Sequence, residues 1–293
     1  MDKNLSNDGD HTSGSKKTRK VPSPIPVAKR IAFMGGNADF REARIRCALA
    51  CEEYNDLKED TPVEDRVKAW LRIVDPDNET NNSTRSTSAV DFSSLFNRGP
   101  NRPSAATPVD NDTPPVTPTA PATASSTLAT RPTIPYIKKP IYIDYGLRVR
   151  IAPTTFINRN CLILDTPVAD VVIGEKCSIG PGVTIISVGH PVKFEERCEF
   201  ESGKAGSWGA KVVIEDGVWV GAGVTILPGV TIGSYSTIGA GSLVNRDIPP
   251  RCVATGSPAA IRYFVNDKKA SATFDETAHT LEDALKAGYE DLN

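Results

Sequence analysis

The sequence predicts a mainly β protein: a parallel β-helix of six-residue repeats, preceded by a helical subdomain and a long disordered insert. Three observations lead to this fold class. From Ile151 to Val244 an aliphatic residue returns at every sixth position, apart from two insertions. From about Ile31 to Val74 the apolar residues instead recur at intervals of three, four and seven, and residues 75–132 are rich in Pro, Thr and Ser. A fixed short period is typical of a solenoid, in which each repeat stacks on its neighbours.

The six-residue repeat also predicts the core. Six residues form one side of a triangular prism and three sides form one coil, so each aliphatic side chain points inward and stacks on its counterpart in the next coil. Four extra residues follow Ile163 and twenty-three follow Ile185, and we interpret both as insertions. Each buried Ile or Val contributes roughly 1.5–3 kcal/mol to stability. Twelve repeat positions make four coils: Ile151, Ile157, Ile163, Ile173, Ile179, Ile185, Ile214, Val220, Ile226, Ile232, Ile238 and Val244.

Glycine or asparagine often follows the inward residue, as at Gly180, Gly221, Gly239, Asn158 and Asn245. These residue types adopt left-handed backbone at lower cost than others. We therefore expect them to form the sharp corners between the sides of the prism.

Residues 27–74 are expected to form the helical subdomain, with two amphipathic helices. The apolar pattern is interrupted between Asn55 and Thr61, and Pro62 suits the first turn of the second helix. Cys47 and Cys51 are four residues apart and share one face of the first helix. We interpret them as buried small apolar side chains, because the sequence offers no partners for a metal site.

The remaining segments are expected to be tails and linkers. Residues 1–26 and 75–132 have too little apolar content to fold by themselves, so both are predicted to be disordered. The basic run between Lys16 and Lys20 is interpreted as a solvated tail cluster, with a nuclear import or polyanion-binding patch as the alternative. Residues 133–267 form the predicted β-helix domain. Residues 268–293 form a C-terminal helix or tail, because Leu281, Leu285 and Tyr289 have helical spacing.

Composition narrows the classes of function. A net charge of -2 argues against nucleic acid as the partner. No run of eighteen apolar residues is present and the N-terminus is polar, so we expect a protein that is cytoplasmic and not membrane-bound. The six cysteines include no C-x-x-C pair, which indicates reduced thiols and no zinc ribbon.

Seven motifs lie within about residues 138–267: YIDYG (142–146), FINRNCLILD (156–165), GHPV (189–192), VWVG (218–221), LPGVTIG (227–233), IGAGS (238–242) and DIPP (247–250). They resemble, in the same order, the motifs of the maltose, galactoside and nodulation-type sugar O-acetyltransferases. The resemblance implies a left-handed β-helix, acetyl-CoA as co-substrate without a metal, a sugar hydroxyl as acceptor, and a homotrimer whose sites lie between subunits.

His190 is the candidate general base. A sugar hydroxyl must lose its proton as it attacks the thioester, and a positioned base contributes about 10²–10⁴-fold to such a step. Of the three histidines, His11 lies in the predicted tail and His279 near the C-terminus, whereas His190 lies where the twenty-three-residue insertion leaves the prism. The alternative is a surface histidine beside a proline turn.

The resemblance also implies roles for other residues. Asn158 and Asp165 would lie near the acceptor sugar, with Asp144 on the same edge, although Asn158 also suits a corner and Asp165 a turn. Trp219 would pack beside the pantetheine arm or the acetyl group, or else fill a subunit interface. The N–H of Ala222 would bind the oxyanion. The implied contacts to coenzyme A come from Gly239, Ala240, Asn245 and Arg246.

Some positions depart from the family pattern. The family commonly carries an arginine soon after its Pro-Ala motif to bind coenzyme A phosphate. Here the first arginine after Pro258 is Arg262, which is the candidate for that contact. The family often has a Tyr-Asp pair in the N-terminal domain whose acid reaches the sugar, whereas the aligned segment here is Phe33–Met34–Gly35–Gly36, so the identity of the acceptor does not carry over. Two alternatives therefore stay open: acetyl transfer to a xenobiotic or other alcohol, and a catalytically silent scaffold.

Overall fold

The structure is a computed structural model that describes residues 30–75, 134–197, 205–265 and 280–281. The predicted N-terminal tail, almost all of the predicted linker and most of the C-terminal helix lie outside these residues. Free cysteines within them are all buried, at positions 47, 51, 161, 177 and 252.

The N-terminal part contains a strand and two helices: β1 (Ile31–Gly35), α1 (Ala38–Asp56) and α2 (Val63–Val74). Both predicted helices are confirmed, and Pro62 directly precedes the second. The prediction that the helical pattern begins at about Ile31 is wrong. Gly36 has a φ of 107° and Asn37 is the N-cap, so the helix starts after them, while β1 pairs with a distant strand.

The centre of the molecule is a left-handed parallel β-helix with three faces. The first face contains β2 (Tyr136–Ile137), β5 (Phe156–Ile157), β8 (Ser178–Ile179), β13 (Trp219–Val220), β16 (Thr237–Ile238) and β18 (Cys252–Thr255). The second contains β3 (Ile141–Ile143), β6 (Cys161–Leu164), β9 (Thr184–Ile186), β14 (Thr225–Ile226) and β17 (Leu243–Val244). The third contains β4 (Val149–Ile151), β7 (Val171–Ile173), β12 (Val212–Ile214) and β15 (Thr231–Ile232).

The predicted stacking of aliphatic residues is confirmed in the strand register. All twelve predicted positions are buried. The prism extends beyond them, because Ile137 pairs with Ile157 before the repeat and Ala254 pairs with Ile238 after it. The periodic pattern missed these ends because the interval between Ile143 and Ile151 is eight residues and Ala254 is small.

The corners differ from the prediction. Left-handed backbone occurs three residues after the inward residue, as at Gly182 and Gly223, and not directly after it. The glycines that directly follow it have another role. A Cβ on Gly221 would lie 2.6 Å from the backbone nitrogen of Ala240 in the next coil, so glycine is needed there for close approach of the coils.

The helices cover the start of the prism. The side-chain amide of Asn55 accepts from the N–H of Ile141 and donates to its carbonyl, both at 2.9 Å, and so pairs with the exposed edge of β3. Cys47 is buried as predicted, and its thiol donates to the carbonyl of Ile143 at 3.3 Å. The helical subdomain therefore closes the first coil.

Replacing Ile226 by Ala tests the stacking. Ile226 is fully buried between Ile185 and Val244, so the variant leaves a cavity and should lower the free energy of unfolding by about 2–5 kcal/mol. Urea denaturation followed by circular dichroism measures this change. Its neighbour Thr225 is not buried, and Thr225→Ala is the control, with an expected change within about 0.5 kcal/mol. Equal effects of the two substitutions would contradict the inward orientation of Ile226.

Candidate functional site

The long insertion leaves the prism as a loop that carries its own small sheet. After β9, the short strand β10 (Val188–Gly189) pairs antiparallel with β11 (Ala205–Gly209), which also pairs with β1. The short helix α3 (Phe194–Arg197) lies within the loop. The N–H of Ala210 donates to the carbonyl of Ser187 at 2.9 Å and closes its base.

His190 directly follows β10 and its side chain is exposed. Its Nδ1 lies 3.1 Å from the carbonyl oxygen of Gly206 and 3.4 Å from the hydroxyl of Ser207. A carbonyl only accepts, so the contact with Gly206 assigns the hydrogen of the neutral ring to Nδ1. The lone pair then lies on Nε2, which is the arrangement that a general base requires.

A groove of about 430 Å³ lies along the first face of the prism. Its lining includes glycines and alanines from adjacent coils and Trp219, a residue that is 60% exposed. The groove brings together five of the predicted site residues: Asn158, Trp219, Ala222, Gly239 and Ala240.

Two groups in the groove are available to a ligand. The N–H of Ala222 has no hydrogen-bond acceptor among the residues that the structure describes. Asn158 donates through its backbone to Ile179, while its side-chain oxygen accepts from the N–H of Arg159 at 2.9 Å, which leaves its side-chain NH2 as a donor. His190 is not among the residues that line this groove. One chain therefore supplies the groove and the imidazole at separate places.

Asp165 does not lie where a solute reaches it, because its side chain is fully buried. One carboxylate oxygen accepts from the N–H of Tyr145 at 2.8 Å and the other from Gly146 at 3.0 Å. These contacts give Asp165 a structural role, because they fix the backbone at Tyr145 and Gly146, whereas the sugar contact that the resemblance implies stays a prediction. Burial and, less strongly, the negative charge of Asp144 raise the pKa of Asp165, while the backbone N–H groups of Tyr145 and Gly146 lower it, and the pKa that results is about 6.

Asp144 is half-buried next to this turn, and burial raises its pKa, while the charge of Arg44 lowers it. Arg44 also donates to the hydroxyl of Tyr145 at 3.4 Å. Asp144 therefore keeps an accessible carboxyl group on the edge where the resemblance expects an acceptor contact.

The other predicted contacts to coenzyme A lie at the end of the prism. Arg246 is exposed, and its Nε lies 3.4 Å from the side-chain oxygen of Asn245. Arg262 lies on the last strand, β19 (Ala260–Phe264), which pairs antiparallel with β18. Its guanidinium donates to the hydroxyl and the carbonyl of Thr255. Asn245, Arg246 and Arg262 do not line the groove, so the structure does not place them in the same site as Trp219.

Sequence reasoning missed the residues that hold the loop. Trp208 pairs with Gly189 in the small sheet, and the guanidinium carbon of Arg30 lies 4.2 Å from the centroid of its ring. A tryptophan inside the insertion, outside the six-residue period, was the available signal. Its partner Arg30 lies more than 150 residues away and was not predictable.

The described part of the chain contains no group of three or more His, Cys, Asp or Glu side chains that could hold a metal ion. Among the described helices, none is both long and apolar enough to cross a membrane.

Comparison with known proteins links this geometry to a family. The family described as "Bacterial transferase hexapeptide (six repeats)" matches residues 211–246. A putative acetyltransferase of Staphylococcus aureus is 39% identical over 143 residues, which cover 48% of this chain and 68% of the relative. A putative acetyltransferase of Schizosaccharomyces pombe is 45% identical over 134 residues, which cover 45% of this chain and 61% of the relative. The galactoside O-acetyltransferase of Escherichia coli is 40% identical over 133 residues, which cover 45% of this chain and 62% of the relative. These last two matches span just over three fifths of each relative.

Solved structures show the same fold. A maltose O-acetyltransferase from Clostridium difficile aligns with a TM-score of 0.55 and 23% identity, covering 80% of this chain and 93% of that one. A galactoside acetyltransferase in complex with coenzyme A aligns with a TM-score of 0.54 and 24% identity, covering 85% and 94%. The predicted left-handed β-helix agrees with the fold of both.

The buried carboxyl of Asp165 should make stability depend on pH. Because the pKa of Asp165 is raised in the folded state, the folded protein keeps this proton between about pH 4 and 6, whereas the unfolded chain releases it. The contribution of Asp165 to the free energy of unfolding therefore falls as pH rises through this window. Asp165→Asn removes this titration. The free energy of unfolding of the variant, measured relative to that of the wild type, should therefore rise by roughly 3 kcal/mol between about pH 4 and 6. Urea denaturation at several pH values measures this, and a constant difference would contradict the raised pKa.

Proposed function

The chain belongs to the hexapeptide-repeat acetyltransferases, the family that includes the galactoside O-acetyltransferases, and we propose that it transfers the acetyl group of acetyl-CoA to a hydroxyl of a sugar. The proposed acceptor is a maltose-, glucose- or galactoside-like sugar, and the similarity to a galactoside and a maltose O-acetyltransferase supports this class. The observation that carries the proposal is the hydrogen bond from His190 Nδ1 to Gly206, because it leaves Nε2 free to take a proton. No metal enters the reaction, and a cytoplasmic location stays a prediction.

His190 acts as base and then as acid. The acceptor hydroxyl attacks the thioester carbonyl carbon while Nε2 takes its proton, which forms a tetrahedral intermediate and an imidazolium. When the carbon–sulfur bond breaks, the imidazolium returns the proton to the sulfur. The products are the acetyl ester and coenzyme A with a free thiol.

The groove on the first face binds the donor. Its small residues let a narrow chain such as pantetheine lie along the coils, beside Trp219 in the same lining. Ala222 is exposed in the groove, and its N–H donates to the oxyanion, a contact of the type worth about 10²–10³-fold in rate. Gly239 and Ala240 lie against the donor in the same groove, while Asn245, Arg246 and Arg262 bind the phosphates at its end.

The acceptor side combines polar contacts with a fixed turn. Asn158 offers its side-chain NH2 from the groove, and Asp144 offers a half-buried carboxyl. Asp165 acts through the backbone of Tyr145 and Gly146, which directly follow Asp144. We therefore propose Asp165 as a positioning residue for that edge.

The site is completed by a second copy of the chain in a homotrimer. The groove and His190 lie at separate places on one chain, and a flat-sided prism offers no deep pocket of its own. Exposed Trp219 and Tyr136 on the first face supply apolar surface for a neighbour. His190 of one subunit then faces the groove of the next.

His190→Asn tests the base. The variant keeps the loop geometry but loses the proton acceptor, so we expect kcat to fall by at least about 10²-fold, with the KM for acetyl-CoA unchanged. The assay follows thiol release with a panel of sugars and of xenobiotic and other alcohols, which also identifies the acceptor. Glu195→Gln, on the same loop and exposed, is the control and should keep full activity. If neither the wild type nor the variant releases thiol with any acceptor, the result would favour a catalytically silent scaffold.

Mixing two inactive variants tests the shared site. His190→Ala lacks the base, and Ala240→Trp blocks the groove. If each site takes its imidazole and its groove from different subunits, an equimolar trimer formed by refolding the variants together recovers about one quarter of the sites. The measurement is thiol release, with each variant refolded alone as the control. No recovery in trimers shown to contain both variants would place each site within one subunit.

A further inference from the structure

We propose that Arg30 and Trp208 are positioning residues that fix the orientation and the tautomer of His190. The proposal rests on the proposed function, since it concerns the same imidazole. Neither residue touches the groove, and both lie in the segments that hold the extruded loop. They act through the backbone next to the ring, not on the reacting atoms.

The backbone around His190 depends on the small sheet. Its preceding residue, Gly189, pairs with Trp208, and the carbonyl that accepts from Nδ1 belongs to Gly206, two residues before Trp208. Thus one strand, β11, holds both the backbone and the ring of His190. Strand β10 has only two residues, so it fixes this register weakly by itself.

The indole ring of Trp208 sets the position of Gly189. A Cβ added at Gly189 would overlap the six-membered part of the ring and lie 2.6 Å from Cη2. The ring therefore lies directly against the α-carbon that precedes His190. Glycine is required at this position because any side chain would push the ring or the strand away.

Arg30 holds the ring in place from the N-terminal segment. Its guanidinium carbon lies 4.2 Å from the ring centroid, at cation–π distance. Its Nε is buried and has no hydrogen-bond partner among the described residues. Arg30 directly precedes β1, which pairs with β11 over five residues, so the strand and the stacked side chain restrain Trp208 together.

A double-mutant cycle tests the contact between Gly189 and Trp208. We expect Gly189→Ala to lower kcat by about 10²-fold, because a displacement of about 1 Å is enough for such a loss. Trp208→Ala should lower kcat by about tenfold or more, and Gly189→Ala should cost little further in that background because the overlap is gone. Trp208→Phe keeps an aromatic face and should recover most of the loss. The KM for acetyl-CoA should stay unchanged throughout, because the groove does not include these residues.

Arg30→Met tests the cation, with Arg251→Met as the matched control. Arg251 lies over the ring of Tyr235 at 5.3 Å, so the control removes a similar stack elsewhere on the prism. We expect Arg30→Met to lower kcat and Arg30→Lys to restore it, while Arg251→Met has no effect on kcat. Equal effects of Arg30→Met and Arg251→Met on kcat would overturn the role of Arg30.

Nuclear magnetic resonance provides a readout that does not need activity. The ¹⁵N shifts of the neutral His190 ring, assigned with His190→Ala, should show hydrogen on Nδ1 in the wild type and a mixture of tautomers in Trp208→Ala and Arg30→Met. Unchanged tautomers in both variants, or additive losses of kcat in the cycle, would overturn the proposal. If the wild type transfers acetyl to no acceptor, the proposed function fails while the tautomer shifts still decide the positioning.

Discussion

The fold depends on the stacking of branched aliphatic side chains along the axis of the prism. Within the stack an inward residue lies in register with one residue of the coil before it and one of the coil after it, as Ile179 does with Ile157 and Val220. The parallel strands hydrogen-bond between coils, so a side cannot gain or lose a residue without breaking the register. Additional chain must leave at a corner.

This constraint explains why the candidate site has two parts. The flat faces leave only a shallow groove, and the glycines that follow the inward residues in the first face admit close approach of the coils. The residue with base chemistry lies on the segment that had to leave the prism. Within that segment β10 pairs with β11, and β11 in turn pairs with β1 of the N-terminal segment. Thus the helical subdomain contributes to the site through a strand.

The regular parts of this arrangement were predictable from the sequence. A period of six predicts which side chains are buried, because the same geometry repeats in every coil, and the spacing of Cys47 and Cys51 predicts the buried face of α1. His190 could be singled out because the insertion interrupts that period. The prediction placed the corners two residues too early. A glycine can be needed either for left-handed backbone or for close approach of the coils, and the residue type alone does not distinguish these two needs.

The irregular contacts were not predictable. The pairing of Ile31 with Gly209 depends on two segments that are far apart in the sequence. The local sequence of β1 instead predicts the start of a helix. Asp165 could be placed beside a turn, but its burial depends on Tyr145 and Gly146 from the preceding coil. Such contacts follow from tertiary structure and not from local propensity.

A crystal structure of the assembled protein with coenzyme A decides whether the groove of one subunit and the imidazole of another form one site. We expect coenzyme A along the groove beside Trp219, with its sulfur within about 3–4 Å of Nε2 of a His190 that comes from a neighbouring subunit. Coenzyme A bound away from this groove, or a His190 from every subunit turned away from the sulfur, would contradict this arrangement.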